Sequence, residues 1–569
     1  MVVIDRVKED FYQRISSDHV LVLVYPDVDS LCACKILQTL FKADNTQYTV
    51  VCVSGISQLK TAFTTHHDKV RSVVLINCGG GAKLIELLQP EEHICIFVVD
   101  SVRPLELDNV YNKGQVHIVL REGEVLEIPD FDDIYDSDQQ AEEDGEEEGE
   151  EFFSDEEVED SVTGGKRRRR EGEASYEARR KRHLWRRKRE EILYKYSEFN
   201  YHSTAASLVL YELAWRLTRD NNELLWLAIT GLTEQLLHEK TDREMYVTEM
   251  HRMQPHVLRL NRSEEETVSA INTMKINFVE ELRLDLYRHW TIYDSLCNSC
   301  YTACKFKVWS LKGHKNLLEF LADMGLPLVQ CKQRFSAMDV QFRENFRSWI
   351  DRSAAKFGLD NMAYGSFSAQ IGYKIKLSAA DMLLSTTALI ENPEKSTEEA
   401  FLQALDALSW SNVTKILAGI ETAKLQQAAI KTHVRNFIDT HQVVCTGPFV
   451  YAYVEEGTPN MKYFSRPLTL CKLARFLREA WISSNKRARD YPFILSAPVD
   501  LEKGTCLVAG VPCQTEETRR SEFRKAFTQA ADRTQANASF DCFDNCVFEM
   551  QMEDRGKFFD ALTALCTVC

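Results

Sequence analysis

Four short runs near the start of the chain are apolar at almost every position: Val20 to Tyr25, Thr49 to Val53, Val73 to Ile76 and Ile94 to Val99. Runs of this length without polar alternation predict parallel strands covered on both faces. Leu31 to Phe41, Ile56 to His66 and Ala82 to Leu88 predict the crossover helices that parallel strands require. Residues 20–120 therefore read as a doubly wound α/β domain. After Thr204 the period becomes helical, with helices expected over Thr204 to Thr218 and Glu223 to His238 and an all-helical region from there to about Ile430. Within it Phe342, Phe346, Trp349 and Ile350 mark the buried stripe of an amphipathic helix. Gly325 and Pro327 suit the end of a helix over Leu317 to Met324. From about residue 445 the pattern is mixed: strands at Pro448 to Val454, Phe493 to Ser496, Cys506 to Ala509 and Cys546 to Met550, helices at Leu470 to Ser483 and Ser521 to Ala531.

With 569 residues, 44% of them hydrophobic, the chain can bury several cores. It contains no run of 18 or more apolar residues, and Met1-Val2-Val3-Ile4-Asp5-Arg6 lacks a signal-peptide pattern, so a soluble, non-secreted protein without a membrane partner is expected. Seventeen cysteines, an odd number scattered through strand and helix patterns, suit a reducing compartment. Cys297, Cys300 and Cys304 are spaced to share one helical face with no matching Cys or His pair nearby, which favours packed thiols over zinc.

The net charge of −17 is unevenly placed. Phe131 to Asp160 holds 17 Asp or Glu and no Lys or Arg, and Lys166 to Glu190 holds 13 Lys or Arg against four Glu. The acidic tract lacks the apolar surface to repay ordering and is expected to be a mobile loop. Lys166, Arg167, Arg168, Arg169 and Arg170 read as a nuclear-import signal in preference to a DNA contact, because the adjacent acids would repel phosphate. Trp185 to Leu193 reads as a helix re-entering the fold.

The strand ends carry the candidate chemistry. Asp27 and Asp29 follow the first strand, where ligands of parallel sheets gather, and would suit one end of a two-metal phosphoesterase site, which needs carboxylates and imidazoles around the ions. The third strand ends instead in Asn77-Cys78-Gly79, a neutral amide. The fourth ends in Asp100-Ser101-Val102, with no imidazole. His66-His67-Asp68 lies at a helix end, away from the strand termini, and reads as surface. No Walker lysine loop, Rossmann glycine fingerprint or nucleophile elbow occurs, so neither ATP hydrolysis nor a cofactor is expected.

An Asp-x-Asp strand end, then an Asp strand end, then Asp-His-His is the pattern of the DHH phosphoesterases, including RecJ-type single-strand exonucleases. The chain resembles their inactive eukaryotic branch, the cell-division-cycle forty-five family, over nearly its whole length. The resemblance is carried by Asp27 to Leu37, Leu75-Ile76-Asn77-Cys78-Gly79, Gly231-Leu232-Thr233-Glu234-Gln235, Leu321 to Leu328, and Gly457-Thr458-Pro459 followed by Phe464-Ser465-Arg466-Pro467. It implies α/β plus all-α plus α+β architecture: a DHH-type doubly wound domain in residues 1–130, completed by helices in 176–240 after a disordered acidic then basic insertion at 131–175; a helical partner-docking domain at 241–435; and a degenerate DHH-associated α+β domain at 436–569. It places Glu234 near the last metal aspartate of the active relatives. Asp27, Asp29, Asn77, Asp100, Ser101, Val102 and Glu234 are then vestigial positions without catalysis or a resident metal.

By the same resemblance the chain is expected in the nucleus as a non-catalytic helicase subunit. Its partners would be the MCM ring and GINS, with single-stranded DNA and replication polymerases secondary. Leu326, Leu328, Phe335 and Met338 are the candidate exposed anchors for the ring, with ordinary core packing as the alternative for the same side chains. The rival reading is an active metal-dependent RecJ-like phosphodiesterase, against which Asn77 and Ser101-Val102 weigh.

Overall fold

The computed structural model describes residues 3–4, 6–112, 114–135, 165–267, 274–371, 375–485, 491–513 and 521–568, with the side chains of 165–179, 263–267 and 567–568 outside that description. Two compact units result: Met1–Glu122 with Asn200–Cys569, and Gly123–Phe199.

The larger unit begins with a six-stranded parallel sheet of β1 (Val3–Ile4), β2 (Val20–Val24), β3 (Tyr48–Cys52), β4 (Ser72–Ile76), β5 (Cys95–Val99) and, after the two-residue β6 (Val102–Arg103), β7 (Val116–Val119), ordered β1-β7-β5-β4-β2-β3. The four apolar runs form its centre and one edge. The runs alone do not reveal β1, which has two residues, or β7, which carries His117. Val22, Val24, Val74, Ile76, Phe97 and Val99 share one core with the helices Val28–Asp44, Ala206–Arg216 and Asn222–Leu237. Leu21, Leu23, Val73, Leu75, Ile96 and Val98 alternate to the other face and are buried as well, which is why these strands read as unbroken apolar runs.

The middle of the chain is not all-helical as the periodicity suggests. β8 (Tyr201–His202) pairs with β6, and β9 (Met274–Leu282), β10 (Ala363–Ile371) and β11 (Ile375–Ser378) form an antiparallel sheet ordered β11-β10-β9. The β9–β10 ladder runs from Met274 opposite Ile371 to Leu282 opposite Ala363. Those partners are distant in sequence, and β9 interleaves Lys275, Glu280 and Glu281 with its apolar residues, so local periodicity does not expose the pairing. The helix Leu311–Asp323 ends where expected, with Gly325 at a φ of 74°.

The last sheet is mixed: β12 (Val444–Cys445), β13 (Val450–Tyr453), β14 (Phe493–Asp500), β15 (Thr505–Val511), β16 (Ala538–Ser539) and β17 (Val547–Gln551), ordered β12-β13-β14-β15-β17-β16. The helix Pro467–Ser484 covers the face presenting Leu495, Ala497, Leu507 and Ala509. Phe527 and Phe558, from the helices Phe523–Thr534 and Arg555–Val568, cover Ile494, Cys506, Val508 and Phe548 on the other.

The smaller unit holds the helices Phe131–Ile134 and Gly165–Tyr196, joined by an ion pair of Lys188 to Asp133 at 2.6 Å. Lys166 to Arg170, expected in the inserted loop, thus lie on a helix that starts earlier than residue 176. The acidic tract from 136 to 160 lies outside the described residues. Among the described residues no helix is long and apolar enough to cross a membrane.

Candidate functional site

In an open α/β sheet the ligand crevice opens at the carboxyl ends of the strands, where the winding reverses. Here β2 leads to β3 on one side and β4 leads to β5 on the other, so the reversal lies between β2 and β4. Asp27 leaves β2 and caps the helix Val28–Asp44 by accepting the Ser30 amide at 2.8 Å. Asp29 follows in the first turn, and its carboxylate accepts four hydrogens. The Ala206 amide at 2.8 Å and Asn77 Nδ2 at 3.0 Å reach one oxygen; the Ser207 amide at 3.0 Å and hydroxyl at 2.5 Å reach the other. Ala206 and Ser207 open the helix Ala206–Arg216, so Asp29 supplies the negative charge that a helix N-terminus favours. Gly231 permits this approach: a β-carbon there would stand 2.6 Å from Asp29 Oδ1 and 2.1 Å from Ser207 Oγ.

Asn77 leaves β4 with a φ of 49°, a conformation asparagine tolerates better than most residues. Its amide group donates to Asp29 and accepts the Ser101 backbone amide at 3.0 Å. A carboxylate at this position would lose the donor and face Asp29 as a like charge. Asp100 turns to its own neighbours, accepting the Gly80 amide at 3.0 Å and the Val102 amide at 2.8 Å. The Ser101 carbonyl accepts the Ser203 amide at 2.7 Å, and Val102 enters the β6–β8 pairing.

Fully buried Glu234 closes the network from the helix Asn222–Leu237. One of its oxygens accepts the Asp29 backbone amide. The other accepts Lys240 Nζ at 2.9 Å and lies 3.3 Å from His238 Nδ1. Lys240 Nζ is also 3.3 Å from Asp27 Oδ2. Local geometry delivers this lysine: Glu239 takes a φ of 56° just past the helix end, and the Lys240 amide bonds back to the Gln235 carbonyl at 2.8 Å.

The charges respond accordingly. Burial pushes the Asp27 carboxyl up to about 7, with the Glu234 charge adding to the rise. Burial and Glu234 also raise Asp29. Burial would raise Glu234 too, but Lys240 and His238 outweigh it and hold that carboxyl at about 2. Lys240 is held well above the ordinary lysine range, since Glu234 and Asp27 overcome the effect of burial. His202 is pushed down to about 3 by burial, with Lys240 adding to the drop.

A metal pair does not fit this donor set. Every oxygen of Asp27, Asp29 and Glu234 already accepts an amide, hydroxyl or ammonium hydrogen, and a lysine ammonium stands where Asp27 and Glu234 converge. No group of three or more His, Cys, Asp or Glu suited to a metal occurs among the described residues. The Lys240 ammonium offsets part of the negative charge and the network ties three helices to the sheet; a metal ion would reach these oxygens only in competition with donors already in place.

The CDC45 family model matches residues 20–565. The chain belongs to the CDC45 family. It is 42% identical to the Cell division control protein 45 homolog of Homo sapiens, over 98% of this chain and 99% of that one. It is 29% identical to the Schizosaccharomyces pombe homolog, over 96% and 95%. The crystal structure of CDC45 from Entamoeba histolytica shares its fold, with a TM-score of 0.70 at 22% identity over 99% of this chain and 100% of that one.

In this CDC45-family chain Asp27, Asp29, Asn77, Ser101 and Glu234 form one network, while Asp100 and Val102 sit beside it bonded to backbone. His67 pairs with Asp68 at 3.1 Å at the far end of the helix Ile56–His66. Lys240, Ser207 and His238 belong to the network but carry no sequence signal: Lys240 reads as an ordinary basic residue after a helix. Two expectations are corrected. Cys297 lies on the helix Ile292–Asn298 and Cys300 and Cys304 on Cys300–Phe306, so the three thiols do not share one helical face; extended Ser299 breaks the run. Leu326 and Met338 are 4% and 3% exposed, part of a core with Phe320 and Ile350, and half-buried Phe335 packs its ring on Tyr287 and Phe346. Of the four expected anchors, only Leu328 is exposed; its neighbour Val329 is exposed too.

Proposed function

We propose that this CDC45-family chain, a DNA replication factor, works as a non-catalytic subunit of the replicative helicase, bridging the MCM ring and GINS in the nucleus and contacting single-stranded DNA only secondarily. The observation that carries the non-catalytic part is the Lys240 ammonium between Asp27 and Glu234. It supplies in cis positive charge of the kind that a phosphoesterase takes from metal ions, and it stands between the carboxylates where such an ion would have to bind. The bridging part rests on the family resemblance. It is supported by apolar side chains at the surface of the helical middle, Leu328, Val329 and Val340, beside the basic Lys332 and Arg334, a mixture suited to docking on another protein.

Purified chain mixed with MCM and GINS should co-elute with both, and single-stranded DNA given Mg²⁺ or Mn²⁺ should stay intact. Contaminant-free cleavage abolished by Asp27→Ala would overturn the non-catalytic reading. Failure to bind either assembly would overturn the bridging one.

A further inference from the structure

The crevice at the carboxyl ends of β2 and β3 is crossed by a distant part of the chain, the segment between β16 and β17. Asp541 acts there as an N-cap for a helix to which it is not connected locally. Its carboxylate accepts the Ser57 amide at 2.7 Å and the Ser57 hydroxyl at 2.8 Å, and its carbonyl accepts the Ile56 amide at 2.9 Å. These are the first residues of the helix Ile56–His66, whose own cap position, Gly55, has no side chain to offer. Gly55 and Cys542 form an antiparallel bridge. A second anchor lies at the other end of the segment: Asn545 Nδ2 donates to Asn200 Oδ1 at 3.0 Å, beside a two-way backbone pairing of Asn200 with Ser521 at 2.8 Å each. Between the anchors, the Phe543 ring meets the Tyr25 ring edge-on at 5.9 Å, two residues before Asp27. Asp544 lines the same cavity as His202, His238, Lys240 and Arg475.

We propose that Phe540–Cys546 is a strap, fastened by Asp541 to the start of the helix Ile56–His66, that closes the crevice over the Asp27–Glu234–Lys240 cluster and opens as a unit. Its fastening is chemically specific. A β-carbon at Gly55 would stand 2.2 Å from Asp541 Oδ2, so glycine is needed for contact. The backbone at Gly55 is extended, with a φ of −160°, and any residue adopts it. Alanine there is therefore opposed by the strap alone. Cys542 reports on closure: it is half-buried, and burial pushes its thiol up to about 12, which lowers its thiolate fraction while the strap is down.

The test compares the full chain with Gly55→Ala and with Asp541→Ala, which attack the fastening from opposite sides. Hydrogen exchange and the alkylation rate of Cys542 by a small maleimide are read peptide by peptide. Loss of a cap of this kind should speed exchange of the strap and of the first turn of Ile56–His66, and modification of Cys542, about tenfold, with β14 and β15 unchanged apart from Gly510, whose amide bonds the Cys546 carbonyl. If Asp541→Ala fails to fold, Gly55→Ala decides. Wild-type rates in the strap of Gly55→Ala would overturn the proposal. Acceleration spread equally through β14 and β15 would also overturn it, because the segment would then be ordinary fold and not a separately opening strap.

Discussion

Lys240→Met removes one ammonium while keeping an unbranched stem of similar length, and the cluster fixes what should follow. Glu234 is held at about 2 against an ordinary 4.5. A folded value below the unfolded one gives stability that is complete above 4.5 and lost as pH falls toward 2. Asp27 has the opposite sign: raised from 3.8 to about 7, it costs stability fully above about 7, and that cost falls as pH drops from there and is gone only below 3.8. At about 1.4 kcal/mol per unit, each effect is on the order of 4 kcal/mol, and with Lys240 present the two roughly offset each other near neutrality. Without Lys240, Glu234 joins Asp27 as a buried acid lacking a counter-charge, and both carboxyls shift upward. Breaking a buried pair costs about 3–5 kcal/mol. The variant should therefore be destabilised by about 3 kcal/mol or more at about pH 8, and by clearly less at about pH 5.5, where both acids begin to take up protons in the folded state. Urea unfolding at the two pH values, followed by fluorescence of tryptophans including Trp226 in the adjoining core, measures the difference. An equal loss at both pH values, or less than about 1 kcal/mol at the higher one, would refute the reasoning.

Asn77→Asp should lower stability by about 2–3 kcal/mol at neutral pH, because it exchanges the donor on Asp29 for a like charge, and it should not confer Mn²⁺-dependent cleavage of single-stranded DNA; appearance of cleavage would contradict the committed-oxygen argument. Leu326→Asp should cost more than about 3 kcal/mol as a buried unpaired charge, whereas joint Leu328→Asp and Val329→Asp should melt like wild type and weaken capture of the MCM ring by about 2 kcal/mol. Circular dichroism melting beside a pull-down separates these, and wild-type capture by the double variant would rule out that face. Replacing Arg167 to Arg170 with alanine should reduce nuclear accumulation of a fluorescent fusion; unchanged import would move that role elsewhere.

Much of the architecture is legible in the sequence because burial on both faces writes itself as an unbroken apolar run. β2 to β5, the helix Ile56–His66, β13, β14, β15 and β17 and the helices Pro467–Ser484 and Phe523–Thr534 lie within a few residues of where the pattern puts them, whereas β12, β16 and the helix Arg555–Val568 were not expected. β9 and β10 escape because a ladder between partners far apart in sequence leaves no local period. Asp27, Asp29, Asn77 and Asp100 were readable as residue types just past strand ends, Asn77 as an amide where a carboxylate would serve a metal. Lys240 was not: only the left-handed turn at Glu239 and the packing of Asn222–Leu237 against Val28–Asp44 bring its ammonium between two acids. Leu326 and Met338 are equally apolar whether they dock or pack, and only the neighbours that cover them decide. The sequence by itself determined which strands would be covered on both faces and which charges would stand at the strand ends. Tertiary structure alone decided what compensates those charges, because a counter-ion is set by distance in space, and here it comes from a residue more than two hundred positions away from Asp27.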